Sequence, residues 1–192
     1  MIGITGPPGS GKSTAASMVA GSRMRVIDVD GVGHEILRRP DVTERLRGIF
    51  GAGIVKREGE ISRKRLAEIV FSDRRDLEKL EAVLHPLMVE DVEQRIAAAK
   101  AAAVDGVVID AAVLFEMGLD RLCDTVLFVD APREIRLARC SAARGWTDGD
   151  VRARESMMRA ASRAADAADC VVKNDDSIEK LNVQLHNFME ER

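Results

Sequence analysis

Tyrosine is absent from these 192 residues and aromatic side chains make up only 3%, a shortage that by itself excludes no function. Other shortages exclude more. Cysteine occurs three times, at Cys123, Cys140 and Cys170, never as C-x-x-C and never beside clustered histidines, so neither a zinc site nor a disulfide framework organises the chain. No apolar run is long enough to span a bilayer, and no basic segment backed by an apolar stretch precedes the first strand. A cytoplasmic protein with no membrane attachment is expected. Charge of one sign is also lacking, because 29 Lys and Arg against 32 Asp and Glu leave a formal −3. That balance argues against a general nucleic-acid grip while leaving cations enough for a local anion pocket. No fixed-period repeat occurs, and no Asn-Lys-x-Asp run of the kind that reads guanine is present.

What is present begins at the first strand. The apolar Ile2-Gly3-Ile4-Thr5 runs into Gly6-Pro7-Pro8-Gly9-Ser10-Gly11-Lys12-Ser13, a complete phosphate-binding loop of the Gly-x-x-x-x-Gly-Lys-Ser type, with a helix pattern over 14–19 behind it. Glycines let the backbone turn so that successive N–H groups point inward at a polyphosphate, and the helix adds the positive end of its dipole. Pro8, Gly9, Ser10, Gly11, Lys12, Ser13 and Thr14 therefore form the expected ATP-binding stretch. Lys12 brings a mobile charge to the β- and γ-phosphates, and the Ser13 hydroxyl is suited to the Mg2+ that bridges them.

Strand and helix patterns alternate as in a parallel sheet covered on both faces, which predicts an α/β fold. Five short apolar strands are expected at 2–5, 25–28, 106–110, 125–130 and 170–173. The stretch 77–103 predicts one long helix, bent where Pro86 removes an N–H, and 177–189 predicts a closing helix. The connection between the second and third strands is far too long for an ordinary crossover. A helical insertion over about 31–100 within a single domain of 1–192 is the expected organisation, with the insertion recognising the acceptor. At this length, 46% hydrophobic residues can fill one sizeable interior.

The carboxylates come next. Asp28-Val29-Asp30 falls at the end of the second strand, where reactants bind in open α/β sheets. In an extended segment the two side chains would point the same way, with Asp30 as the base that orients or deprotonates an attacking hydroxyl. The alternative is that Asp30 caps a helix starting near Val32. Asp110 ends the third strand as a strand-terminal acid of the kind that holds magnesium, and Asp130 has a similar setting. Arg133, Arg136, Arg139, Arg144, Arg152, Arg154, Arg159 and Arg163 follow, distributed over a helix, a loop at Gly145-Trp146-Thr147 and a second helix. A lid over about 139–163 is expected to carry one or two of them, Arg139 and Arg144 foremost, onto the transferring phosphoryl group.

On these residues the chain resembles the dephospho-coenzyme A kinase family over nearly its whole length. The marks are Gly3-Ile4-Thr5-Gly6 into Gly9-Ser10-Gly11-Lys12-Ser13-Thr14, then Val26-Ile27-Asp28-Val29-Asp30. Further on come Gly59-Glu60-Ile61-Ser62-Arg63, Leu66, Val70-Phe71-Ser72-Asp73, Leu80-Glu81, Leu84-His85-Pro86 and Ala168-Asp169-Cys170-Val171-Val172 before Asn174. The resemblance implies a P-loop kinase fold and transfer of the γ-phosphoryl of ATP to the ribose 3′-hydroxyl of dephospho-coenzyme A, with Mg2+ as cofactor. Asp30, Lys12 and Arg144 take the catalytic roles, the arginine after a one-residue shift in the lid. It further implies an adenine-side position for Asn174 with Arg139, and acceptor contacts from Thr5, Asp28, His85, Leu114 and Glu116. Pro7-Pro8 replaces the usual Gly and apolar residue, Ala112 stands in place of a proline, a lid glutamine is missing near 157–159, and Lys173 stands in place of an acid. No motif specifies an oligomeric state. Two other readings share the loop: a kinase of the same architecture for another hydroxyl acceptor, and an adenine-nucleotide-dependent switch.

Overall fold

In the computed structural model, residues 1–158 and 161–190 are described. The chain runs β1 (Ile2–Thr5), α1 (Lys12–Ala20), β2 (Met24–Asp28), α2 (Val29–Ile36), α3 (Pro40–Phe50), α4 (Arg63–Ser72) and α5 (Arg74–Ala101). It continues through β3 (Gly106–Asp110), β4 (Thr125–Asp130), α6 (Arg133–Arg144), α7 (Asp148–Met157), α8 (Ala161–Ala167), β5 (Cys170–Lys173) and α9 (Ile178–Glu190). It divides into two compact units, one of Met1–Asp28 with Arg95–Arg192 and the other Val29–Gln94.

The first unit is built on a five-stranded sheet in the order β2-β3-β1-β4-β5, with every pairing parallel. Both neighbours of β1 are therefore strands from much later in the sequence. All four residues of β1 are buried, as expected of a parallel strand covered on two faces. On one face Ile2, Ile4, Val108, Leu127 and Val129 pack with Ala15, Ala16 and Val19 of α1 and with Leu181, Leu185 and Phe188 of α9. The alanines of α1 let that helix lie close to the sheet, and the spacing of the three α9 residues keeps them on one helical stripe. The other face is tight at Gly3, where a Cβ would come within 2.9 Å of Leu114 and 2.7 Å of the Cys123 sulfur. Burial pushes the Cys123 thiol up to about 12, so it is an inert core group.

The second unit is helical. Val32 and Ile36 of α2, Val42 and Leu46 of α3, Leu66 and Val70 of α4, and Leu80, Val83 and Leu84 of α5 are buried. Helices α2 and α5 approach closely at Gly33, where an added Cβ would lie 3.1 Å from the Met88 methyl. The run Gly59-Glu60-Ile61-Ser62-Arg63 forms a tight antiparallel bridge, Val55 to Ile61, that delivers the chain to the start of α4. Helix α5 passes through Pro86 without ending and stops before Ala103, whose φ of 51° is left-handed.

One expectation about the acids is corrected here. Strand β2 ends at Asp28, paired with Asp110, and α2 begins at the very next residue. Asp30 thus lies in the first turn of a helix and is neither part of an extended segment nor a cap for a helix starting near Val32. The alternation that would align Asp28 with Asp30 does not apply. A carboxylate in a first turn is favoured by the helix dipole, which explains why the sequence tolerates an acid there.

Candidate active site

The phosphate loop leaves β1 at Thr5 and closes a turn through Ser10 N–H to the Pro7 carbonyl at 3.1 Å. Pro7 and Pro8 have no N–H, so the loop's inward donors begin at Gly9. Gly11 is the residue before α1, has φ 94°, and provides no side-chain cap. The first-turn N–H groups of α1 are therefore left for an anion. Lys12 is half-buried, while Ser13 and Thr14 stand exposed on that turn.

Two glycines of the loop answer to their neighbours as well as to their torsions. A Cβ on Gly9 would lie 2.5 Å from the Arg136 carbonyl and 2.9 Å from the Cys140 sulfur, so α6 packs directly on the loop. A Cβ on Gly11 would strike the side-chain amide of Asn174. Asn174 is buried at 6% exposure. Its amide nitrogen donates to the Ser10 carbonyl at 2.8 Å, its oxygen accepts from Arg139 at 3.3 Å, and its backbone N–H donates to the Asp130 carbonyl at 2.7 Å. Arg139 also donates to the Asn174 carbonyl at 3.0 Å. Asn174 and Arg139 are thus the buttress behind the loop, a role that sequence spacing did not reveal.

The carboxyl ends of the strands bring the acids together. Asp28 and Asp110 are register partners on β2 and β3, and Asp110 is also level with Ile4 of β1. Asp110 is buried and Asp28 exposed. Thr5 is buried, its hydroxyl donating to the Ala112 carbonyl at 3.3 Å. No group of three or more His, Cys, Asp or Glu able to hold a metal occurs among the described residues. A hydroxyl and one or two carboxylates suit Mg2+, a hard ion that takes oxygen ligands and fills its remaining positions with water and substrate phosphates.

The remaining expected residues are scattered. Leu114, expected among the acceptor contacts, is fully buried against Gly3. Glu116 is half-buried in the turn after β3, and His85 is half-buried on α5 in the helical unit. Arg144 is exposed, with its guanidinium 4.6 Å from the centre of the Trp146 ring; Arg154 lies 3.7 Å from the same ring. Burial lowers the Arg154 pKa, with Asp150 opposing that shift. Helix α7 opens with a capping box in which Thr147 and Asp150 each accept from the other's backbone N–H. Arg159 and Ala160 of the expected lid lie outside the described residues.

One of the arginines noted in the sequence has a setting that the sequence reading did not foresee. Arg136 is 9% exposed, and no local signal separates it from the less buried arginines on the same helix.

The profile of the family described as "Dephospho-CoA kinase" matches residues 1–180. A Corynebacterium glutamicum protein named "Dephospho-CoA kinase" is 34% identical over 192 residues, covering 99% of this chain and 98% of its own. A Deinococcus radiodurans protein of the same name is 37% identical over 184 residues, covering 96% of this chain and 88% of its own. Among solved structures, a Thermus thermophilus protein superposes with a TM-score of 0.80 at 32% identity, covering 99% of this chain and 96% of its own. A shikimate kinase from Acinetobacter baumannii, at 14% identity and a TM-score of 0.54 over 99% of this chain and 90% of its own, shares the fold alone.

Proposed function

We propose that this chain, which belongs to the dephospho-coenzyme A kinase family, divides its reaction between a backbone-built ATP cradle and acceptor chemistry supplied by side chains. It is an ATP-dependent phosphotransferase that passes the γ-phosphoryl of ATP to the ribose 3′-hydroxyl of dephospho-coenzyme A, giving coenzyme A and ADP. The observation that carries this reading is a complete phosphate loop at the carboxyl end of β1 in a chain matched by the family profile over residues 1–180.

In this mechanism the N–H groups from Gly9 to Thr14 hold the β- and γ-phosphates and Lys12 neutralises charge on the transferring group. Pro8 contributes only its carbonyl and ring to the loop wall. Arg139 and Asn174 act from behind, keeping the Ser10 carbonyl turned away from the cradle. Ser13 and Asp110, with Asp28 beside it, would hold Mg2+, which when bound supplies neutralisation of the β- and γ-oxygens. Asp30 orients the 3′-hydroxyl and accepts its proton. Its support is the match to the family's aspartate and an exposed carboxylate in the first turn of α2. Thr5, Glu116 and His85 serve the acceptor side, and Arg144 the charge that develops in transfer.

No helix among the described residues is long and apolar enough to cross a membrane, and Cys123, Cys140 and Cys170 are free thiols. We assign the reaction to the cytoplasm, where ATP and reducing conditions coincide. The test is incubation with ATP, Mg2+ and either dephospho-coenzyme A or other hydroxyl acceptors, following ADP and product mass together. Coenzyme A formed only from the first acceptor is the expected result. A different phosphorylated product, or ADP release with no phosphorylated acceptor, would overturn the substrate assignment.

A further inference from the structure

Arg136 makes bonds to three separate segments of the sheet unit. Its Nε donates to the Ala131 carbonyl at 3.0 Å, just ahead of α6. Its Nη1 donates to the Pro8 carbonyl of the phosphate loop at 3.3 Å and to the Glu155 carboxylate of α7. The guanidinium is mostly enclosed, with the Arg136 side chain 11% and the Glu155 side chain 26% exposed. A charge so placed is stable only while its acceptors stay where they are, because removing one leaves a buried ion short of a partner. A second tie between α6 and α7, Arg133 to Asp148 at 2.5 Å, is much more exposed and correspondingly weaker.

Two consequences meet at this side chain. On the loop side, Arg136 fixes a carbonyl that belongs to a proline, just before the first inward donor at Gly9, whose position against the Arg136 backbone leaves no room for a Cβ. On the lid side, Glu155 adjoins Arg154, the residue that shares the Trp146 ring with Arg144. Displacing α7 therefore breaks the Glu155 contact and moves Arg154, the α7 arginine packed on Trp146, relative to Arg144 at the end of α6.

We propose that Arg136 and Glu155 are a positioning pair that couples the phosphate loop to the lid helix α7, so that the state of the loop sets where Arg154 stands at Trp146. Neither touches the reacting atoms. The inference rests on the ATP-binding reading of the loop.

Trp146 is the single tryptophan of the chain, and its emission reports on the lid. ATP affinity, kcat, KM for ATP and the change in Trp146 emission on adding ATP are measured in the wild type, Glu155→Gln and Arg136→Lys. Glu155→Gln keeps the loop-side bonds of Arg136, so ATP affinity should stay within about threefold while kcat falls about tenfold and the emission change is altered. Arg136→Lys loses the planar fork, so it should weaken ATP binding about tenfold as well as lowering kcat. Should the lysine variant fail to fold, the glutamine variant alone decides. A Glu155→Gln protein that melts earlier yet matches the wild type in kcat and emission change would reduce the pair to a structural tie and overturn the coupling. Equal losses of ATP affinity in both variants would overturn it also. A wild type that binds no ATP would instead sink the functional reading, and this inference with it.

Discussion

In the sheet unit, the groups expected to face a nucleotide are mostly backbone N–H groups, held in place by glycines that have no room for a side chain, by the buried Asn174 and by the half-buried Arg139. In the helical unit Val29–Gln94, the polar candidates Asp30 and His85 are side chains on helices, and the helices themselves are fixed by ordinary apolar packing. A phosphate asks the same thing of every protein, a concave set of donors. An acceptor asks for a shape and a few placed polar groups, which many sequences can supply. The first unit should therefore tolerate almost no change near its loop, while changes in the second should alter acceptor use and leave ATP binding intact.

The largest effect that would break this comparison is Gly11→Ala. With φ at 94° and the Asn174 amide in the way of a Cβ, the loop must distort, and ATP affinity should fall about 100-fold or more with the fold retained by circular dichroism. Normal ATP affinity in calorimetry would show that the cradle is not backbone-built. Lys12→Ala comes next, with kcat expected to drop about 10²–10³-fold because one charge on the transferring group is lost. Steady-state rates check it, and an unchanged kcat would remove Lys12 from the reaction.

Asn174→Ala sharpens the buttress argument. It strands the Ser10 carbonyl and one Arg139 donor, so denaturant melts should show a loss of about 1–3 kcal/mol, KM for ATP should rise, and KM for the acceptor should hold. A rise in acceptor KM instead would place Asn174 on the other side of the reaction. The smallest effect is with pH. Hydrogen bonding from Arg133 holds Asp148 below the usual carboxylate range, and Thr147 does the same for Asp150. Their support of α7 is fully present above the unfolded pKa and is lost as pH falls through the lower folded values, so α7 should loosen only below about pH 4. Trp146 emission that shifts between neutral pH and about 5 would contradict this.

The same contrast explains what could be read from sequence. Strands β1, β3, β4 and β5 stand out because buried parallel strands are short apolar runs bounded by Gly and Asp, and the loop stands out because its glycines and Lys12-Ser13 have fixed offsets. Asp30 was recognisable as an important acid but not as a helical one: the end of β2 at Asp28 is legible in the sequence, whereas the start of α2 at the very next residue is not, and the helix was expected to begin near Val32. The burial of Leu114, expected on the acceptor side, was not legible, because Gly3 opens a space that only the assembled sheet reveals. Arg136 and Asn174 act through bonds to Pro8 and Ser10 that span 128 and 164 residues of sequence, distances over which no spacing rule operates.

The division of labour is tested most directly by Asp30→Asn, with ATP binding measured by calorimetry and turnover measured with dephospho-coenzyme A on the same protein. The account predicts ATP affinity within about twofold of wild type and kcat lowered about 10²–10⁴-fold, because the carboxylate acts on the acceptor hydroxyl only in the transition state. Undiminished turnover, or a collapse of ATP affinity with kcat preserved, would contradict it.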